Sequence, residues 1–486
     1  MESRKELRPH QQKAIEQLRS SLAKGYKRVV IQAPTGFGKT LTAAKVVDGA
    51  LAKGNRVIFT APAISLIDQT VAAFEAEGIT DIGVMQGNHP RTDPSRPVQI
   101  ASVQTLARRD IPDAAMVLVD ECHIRSEVIE TLMSERPDVF FVGLSATPWR
   151  KGMGLWWQDM VTPVSLAELI EQGYLSKFVA YAPEVPDLSG VKVRAGEYAE
   201  AALAEMMGNA KLVGNAVETW LAKGEDRPTL CFAVNRAHAA LLQSRFEAHG
   251  VAAGYVDAMT DRVEREFINR RFRDGDLRVI CSVRTMTTGV DLPVGCIVDC
   301  APTKSAMLHV QKIGRGLRIN PGTEDCLILD HSGNTIRLGL VTEISCDALD
   351  RTPPGEAAGD TVRTKEAKPC VACGALHSKP VCPVCGHVKK PLSGNVEAVD
   401  GELVQIGGAK KAFSREEKQR FWNMALWLDR ERGRGGKLAK GLYKGKFGVW
   451  PNGLFDHPVA ADAAFMSYEK SRRIAYAKKM NKLKGK

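Results

Sequence analysis

The sequence predicts an α/β protein with two parallel-sheet lobes in tandem, followed by a small cysteine-bearing insert and a basic C-terminal region. Three observations carry that prediction. The chain has 486 residues, and at about 100 to 200 residues per domain this calls for about three globular units. Between Tyr26 and Asp330, short β-branched runs alternate repeatedly with longer helical patterns. The runs are continuously apolar, as strands covered by helices on both faces require. Apolar residues make up 44% and charged residues 25%, a balance that excludes collagenous and wholly disordered chains.

Taken in order, Arg28–Gln32, Arg56–Thr60, Met116–Asp120 and Val139–Gly143 are the strands of the first copy. Thr229–Ala233, Arg278–Ser282 and Cys326–Asp330 belong to the second. The break falls around Trp156 to Ser176, giving a first lobe over residues 1–172 and a second over 173–346. Residues 347–368 contain Arg351-Thr-Pro-Pro-Gly-Glu-Ala-Ala-Gly359 and read as a linker. The cysteine-bearing insert follows at 369–390, a second linker at 391–408, and the basic region at 409–486.

The net charge of +11 is unevenly spread: from Ala409 onward there are 20 Lys and Arg against 7 Asp and Glu, leaving the rest slightly acidic. A basic extension lets a polyanion release its counterions on binding, so nucleic acid is the expected partner, ahead of an anionic membrane surface. The longest apolar stretches, such as Val139–Leu144, fall far short of the roughly 20 residues that span a bilayer. Met1–Pro9 has charges but no apolar segment after them, so a cytoplasmic location is expected. Seven of the eleven cysteines stand singly in apolar segments and are expected as buried, reduced thiols.

The strand at Arg28–Gln32 runs into Ala33-Pro34-Thr35-Gly36-Phe37-Gly38-Lys39-Thr40, and a helical pattern follows. A Gly-rich turn between strand and helix lets backbone N–H groups close around phosphates at a positive helix terminus. Lys39 would reach the β and γ oxygens, and Thr40 would ligate Mg2+. The general P-loop pattern has Gly where this chain has Ala33. Met116-Val-Leu-Val-Asp120-Glu121-Cys122-His123 ends another strand on paired carboxylates. Asp120 would hold the metal, directly or through water, and Glu121 would orient and deprotonate the attacking water. The two motifs together point to hydrolysis of a nucleoside triphosphate.

With these residues in this order, the chain from Leu7 to about Asp330 looks like a superfamily 2 helicase or translocase of the DEAD/DEAH-like type. The resemblance implies two RecA-like lobes that close on ATP. It places Arg8 and Gln11 of Leu7-Arg8-Pro9-His10-Gln11 at the adenine, Arg8 stacking and Gln11 bonding both edges. His123 and Ser145-Ala146-Thr147 would couple hydrolysis to nucleic-acid binding. Thr287-Thr288-Gly289-Val290-Asp291 and Gln311-Lys312-Ile313-Gly314-Arg315-Gly316-Leu317-Arg318 resemble the motifs that the second lobe presents to the nucleotide. Gly289 and Asp291 would meet the ribose or its water network, Gln311 the γ-phosphate, and Arg315 and Arg318 the charge developing in the transition state. Nucleic acid would cross both lobes at Thr60-Ala61-Pro62, Ser102, Gln104, Thr105, Phe232 and Thr287, gripped by its phosphates. Trp149, Trp156 and Trp157 either stack on bases or pack at the lobe junction.

Cys370-Val-Ala-Cys373-Gly and Cys382-Pro-Val-Cys385-Gly form C-x2-C-x8-C-x2-C. Two pairs of thiolates supply four soft ligands that can meet tetrahedrally around Zn2+. The alternatives are a redox dithiol pair or a site using His377 or His387. Helicase lobes followed by a zinc ribbon, with Cys300-Ala-Pro-Thr-Lys-Ser and Asp325–Asn334, are similar to bacterial RadD-type DNA repair helicases and their phage relatives. That resemblance implies ATP-dependent action on single-stranded or branched DNA, although RadD-type C-terminal regions are richer in cysteine.

In the tail, Phe413–Leu428 has apolar residues at helical spacing with Ser414 as N-cap. Lysines interleaved with Tyr443, Phe447 and Trp450 suit phosphate contact with base stacking; the alternative is a small packed basic domain. An RNA helicase and a DNA-binding scaffold with ATP-gated affinity remain open beside the DNA motor. The complete set of Lys39, Glu121 and Arg318 argues against the scaffold.

Overall fold

The computed structural model describes residues 5–182, 186–194, 196–286, 292–320, 322–356, 362–388, 414–447, 449–463, 465–470 and 472–473. The chain divides into two compact units, Met1–Pro391 and Leu392–Lys486.

The first lobe runs α1 (Pro9–Ala23), β1 (Arg28–Gln32), α2 (Lys39–Leu51), β2 (Val57–Ala61), α3 (Ile67–Ala76), β3 (Ile82–Met85) and β4 (Val98–Ser102). It continues through α4 (Val103–Leu106), β5 (Met116–Asp120), α5 (Glu127–Glu135), β6 (Phe140–Ser145), β7 (Asp159–Val161) and α6 (Leu166–Glu171). Its seven strands pair in the order β3-β4-β2-β5-β6-β1-β7, all parallel. Alternate residues of one strand feed different cores: Val29 and Ile31 join one apolar cluster, and Val30 joins another. Burial on both faces is why these strands read as unbroken apolar runs. Helix starts are set by side chains that accept the first free N–H groups, Ser126 bonding Ile129 and Ser165 bonding Glu168.

The second lobe contains β8 (Lys177–Tyr181), β9 (Val193–Arg194), β10 (Glu197–Tyr198), α7 (Glu200–Met207), α8 (Ala210–Lys223), β11 (Thr229–Phe232) and α9 (Arg236–Ala248). After these come β12 (Ala253–Val256), α10 (Arg262–Asp274), β13 (Val279–Ser282), β14 (Cys296–Asp299), α11 (Ala306–Ile313), β15 (Asp325–Asp330) and α12 (Asn334–Leu338). Six parallel strands lie in the order β12-β13-β11-β14-β15-β8. Leu230 and Phe232 continue the apolar cluster that holds Val29 and Ile31, so the lobes share one core.

Beyond this lobe the chain is more ordered than its Pro- and Gly-rich composition suggests. β16 (Ser345–Cys346) pairs antiparallel with β17 (Val362–Arg363), and β18 (Lys368–Pro369) with β19 (Leu376–His377). Between the first two, Leu349 enters the first lobe's apolar cluster beside Met153 and Trp157. Composition reports the absence of regular secondary structure; it does not report whether the side chains find partners. An antiparallel bridge from Tyr181 to Ala375 places the cysteine-bearing insert against the β8 edge of the second sheet, an edge otherwise open to pairing with another chain. The seven singly placed cysteines are buried. Among the described residues, no helix is long and apolar enough to cross a membrane.

In the C-terminal unit, α13 (Arg415–Glu431) starts at the Ser414 cap with Glu417 completing a capping box, and α14 (Lys437–Phe447) follows. Asp429 accepts N–H bonds from Gly436 (2.6 Å) and Ala439 (2.9 Å), which fixes the turn into α14. The core holds Phe421, Trp422, Leu428, Leu442, Tyr443 and Phe465. Two of the three aromatics offered as base-stacking groups are therefore packing residues: Tyr443 is buried, and the Phe447 ring lies 5.2 Å from that of Phe421. Trp450 remains 58% exposed.

Candidate functional site

The strand ends at Gln32, Ala61, Ser102, Asp120 and Ser145 line one edge of the first sheet, through the register pairs Gln32–Ser145, Ala61–Ser102 and Asp120–Leu144. This is the carboxyl edge, where parallel α/β sheets bind ligands. The Ala33–Thr40 turn rises from it. Gly36 and Gly38 adopt φ of 76° and 85°, and both are hemmed in. A Cβ at Gly36 would fall 2.4 Å from Leu175 Cδ2, and one at Gly38 2.3 Å from Gln11 Nε2. Phe37 and Pro34 are buried, Thr35 and Lys39 are half-buried, and Thr40 is exposed at the first turn of α2.

Gln11 and Arg8 brace this turn. Gln11 Nε2 donates to the carbonyls of Phe37 (3.0 Å) and Gly38 (3.2 Å), while its Oε1 accepts from the Arg8 N–H (2.9 Å). Both edges of the amide expected at the adenine are thus engaged within the protein. Arg8 lies 4.6 Å above the Tyr174 ring and donates to the Gly36 carbonyl at 3.3 Å.

Lys39 forms a short ion pair with Glu121 and lies 4.0 Å from Asp120 Oδ1. Glu121 is a non-glycine residue at φ 48°, the kind of strained backbone that functional sites retain. Burial pushes the Asp120 carboxyl up to about 6, with Lys39 opposing the rise and Glu121 adding to it. Burial also works against ionisation of Glu121, but Lys39, aided by His123 and Arg315, holds that carboxyl below its ordinary value. The site therefore keeps an ionised carboxylate beside a lysine in a largely enclosed space.

The second lobe closes over these groups. Gln311 Nε2 donates to Thr147 Oγ1 (3.1 Å) and meets His123 Nε2 (3.2 Å), while His123 Nδ1 lies 2.9 Å from Ser145 Oγ. Burial lowers the His123 pKa against the pull of Glu121, and a proton on Nδ1 satisfies both Ser145 and Gln311. Gly314 approaches the P-loop so closely that a Cβ there would stand 2.6 Å from Thr35 Oγ1. Arg315 and Arg318 are half-buried in the turn after α11, and the Arg315 charge acts on both Lys39 and Glu121. The buried Lys312 holds α11 in place by binding Asp299 at 2.6 and 2.7 Å. Gly289, Asp291 and Thr287 lie outside the described residues.

The residues assigned to nucleic acid differ in accessibility. Gln104 is exposed, and Pro62 and Thr105 are half-buried. Thr60 is buried with its hydroxyl on the Leu118 carbonyl (3.3 Å), and Ala61, Ser102 and Phe232 are also buried. Ser102 Oγ caps α4 by accepting the Thr105 N–H, which leaves this stretch to present its backbone and Gln104 rather than its hydroxyls. Trp157 is buried in the first lobe's apolar cluster and Trp156 packs against it, so these rings are packing groups of the first lobe.

The four sulfurs of Cys370, Cys373, Cys382 and Cys385 lie within 4.8 Å of one another. Cys370 to Cys385 is 3.7 Å and Cys373 to Cys382 is 3.8 Å. Four thiolates at a Zn–S bond of about 2.3 Å in a tetrahedron are about 3.8 Å apart, so the donor set fits Zn2+. Each C-x2-C half closes on a left-handed glycine, Gly374 at φ 77° and Gly386 at φ 70°. His377 Nδ1 is bound to the Lys379 carbonyl at 2.7 Å.

Several participants carry no motif signal. Tyr174 and Leu175 reach the P-loop only through the fold. Lys312, in the segment Ala306–Ile313, is seen to be half of a buried ion pair only once α11 is placed.

Residues 4–150 match the family described as type III restriction enzyme, res subunit, and residues 212–320 match the helicase conserved C-terminal domain. "Putative ATP-dependent helicase IRC3" of Saccharomyces cerevisiae is 28% identical over 67% of this chain and 51% of its own; the chain thus spans about half the length of that relative. The "51.5 kDa protein" of Lactococcus phage (isolate 7-9) is 24% identical over 82% of this chain and 88% of its own. Among solved structures, the ATP-dependent Type ISP restriction-modification enzyme LlaBIII bound to DNA aligns with a TM-score of 0.53 and 16% identity, over 68% of this chain and 28% of that one. The shared architecture is a pair of RecA-like lobes.

Proposed function

We propose that this chain, which carries both lobes of an ATP-hydrolysing superfamily 2 helicase, works as an ATP-dependent translocase or helicase on single-stranded or branched DNA in repair, recombination or replication, in the manner of RadD-type enzymes. The observation that carries the reading is the closed cleft. Lys39, Asp120 and Glu121 from one lobe face Gln311, Gly314 and Arg315 from the other. The yeast relative described as an ATP-dependent helicase and the structural neighbour bound to DNA support the choice of substrate.

In this reading Lys39 leaves Glu121 for the incoming β and γ phosphates. Thr40 and Asp120 would hold Mg2+, which would supply charge to neutralise the phosphates. The freed Glu121 orients water and accepts its proton. Arg315 and Arg318 stabilise the developing charge only while the lobes are closed. Gln311 reports closure to Thr147 and His123, and thereby to the strand-binding edge. The zinc ribbon stiffens the β8 edge.

The C-terminal unit supplies a second grip on the strand. Lys437, Lys440 and Lys444 recur along one face of α14 and are exposed. Lys444 Nζ stands 4.1 Å from the exposed Trp450 ring, pairing phosphate contact with a stacking surface.

Steady-state ATP hydrolysis at one salt concentration, with no nucleic acid, single-stranded DNA, duplex DNA, forked DNA or RNA, tests the proposal. Stimulation by DNA above RNA is expected. Preference for RNA would make the chain an RNA helicase, and negligible turnover in every condition would overturn the motor.

A further inference from the structure

The segment after the second lobe returns to the first. Asp350, only 3% exposed, accepts the Gly152 N–H (3.0 Å) and Thr352 N–H (2.7 Å) through Oδ1, and its carbonyl accepts the Gly154 N–H at 2.6 Å. Both glycines make room for it. A Cβ at Gly154 would stand 3.0 Å from the Leu349 and Asp350 carbonyls, and one at Gly152 would stand 3.2 Å from that of Thr352. Arg351 donates to the Gln158 carbonyl (3.3 Å), and Lys151 donates to that of Glu356. With Leu349 in the first lobe's core, the anchor has an apolar foot and a hydrogen-bonded collar.

The gripped loop, Trp149 to Leu155, directly follows Ser145-Ala146-Thr147, whose Thr147 meets Gln311 from the second lobe. The strap's other end is fixed at Cys346, paired with Val362 and continuous with the buried Val341 and Ile344. Four residue steps lead from Cys346 to Asp350, and at 3.3 to 3.6 Å per step they reach at most about 14 Å. While Asp350 stays bound, the two lobes can part no further than that tether allows.

We propose that Asp350 is a positioning residue of the ATPase cycle: it latches a strap from the second lobe onto the loop after Thr147 and thereby limits how far the cleft opens between turnovers. A limited opening shortens the search by which Gln311 and Arg315 return to the nucleotide. The proposal rests on the motor reading, and its test separates the two.

Dyes attached through azide side chains at exposed Lys53 and Glu266 report lobe separation by single-molecule energy transfer in the full-length chain. Two variants are compared with the parent: Asp350→Ala, and a strap lengthened by eight Gly/Ser residues between Asp347 and Ala348. The insertion keeps the contacts of Leu349, Asp350 and Arg351 with the first lobe while adding roughly 15 Å of mean reach. Both should populate a wider separation without nucleotide and lower the DNA-stimulated kcat about tenfold. Affinity for a fluorescent ADP analogue, bound by the first lobe, should be unchanged. The lengthened variant should melt with the parent. A lengthened strap with parental separation and parental kcat would overturn the latch, even if Asp350→Ala alone lost activity, because the contact would then serve stability only. Should the parent hydrolyse no ATP, the motor reading fails and the separation measurement alone decides the latch.

Discussion

Gln311→Ala is the substitution that isolates communication across the cleft. It removes the bonds to Thr147 (3.1 Å) and His123 (3.2 Å) while leaving the P-loop, Glu121 and Arg315 unaltered. Two neutral hydrogen bonds at about 1 kcal/mol net each make the closed cleft about 2 kcal/mol less favourable. At 1.36 kcal/mol per decade, kcat at saturating DNA should fall about 30-fold. Nucleotide affinity measured without DNA should stay within about twofold, since the first lobe binds the phosphates. Because Gln311 meets His123, which in turn meets Ser145 (2.9 Å), adding His123→Ala to Gln311→Ala should cost little more than the larger single effect if the three act as one relay. The assay is steady-state hydrolysis with a saturating single strand, run as a double-mutant cycle. A Gln311→Ala enzyme with a kcat within about threefold of the parent, or a fully additive cycle, would refute the relay.

Further outcomes follow from the same structure. Glu121→Gln should keep ATP binding and lose about 100- to 10,000-fold in kcat, with DNA retained in the ATP-bound complex in a filter-binding assay. Replacing Cys370 and Cys373 by Ser should remove about one zinc per chain by native mass spectrometry; because Ala375 bridges to Tyr181, limited proteolysis should then cut near residue 375. Burial holds the His238 imidazole down to about 4 from its ordinary 6.5. The unfolded chain therefore takes up this proton first as pH falls, and stability that is full above pH 6.5 declines by about 3 kcal/mol by pH 4. His238→Asn, retaining an acceptor for the Val234 N–H, should flatten urea denaturation midpoints over that range. Trp450→Ala should weaken single-stranded DNA binding by about 5- to 150-fold, and Lys440→Ala with Lys444→Ala should reduce the slope of log K against log salt by roughly 1.5.

The candidate nucleotide site was legible in the sequence because its chemistry is local. A Gly-rich turn, its lysine and a pair of carboxylates at strand ends each carry their geometry in a few neighbouring residues, and Gly36, Gly38 and Glu121 hold the unusual φ angles that such turns need. The four-cysteine cluster was legible for the same reason, since two C-x2-C halves close on themselves. The tail was half legible: Ser414 begins the helix expected from its spacing, but alternation of lysine and aromatic residues did not tell core from surface, and Tyr443 went inside while Trp450 stayed out.

Composition, periodicity and motif order alone determined the α/β class, the two lobes, the Gly-rich turn and the paired carboxylates at a strand end, the four-cysteine set and the basic tail. Tertiary structure decided which groups meet across distance. It set Gln11 against the P-loop carbonyls, Gln311 against His123, the cysteine-bearing insert against β8, and Asp350 against the loop after Thr147. The physical reason is separation along the chain: hydrogen bonds and apolar contacts act over a few ångströms, and only folding brings residues 152 and 350 within that range.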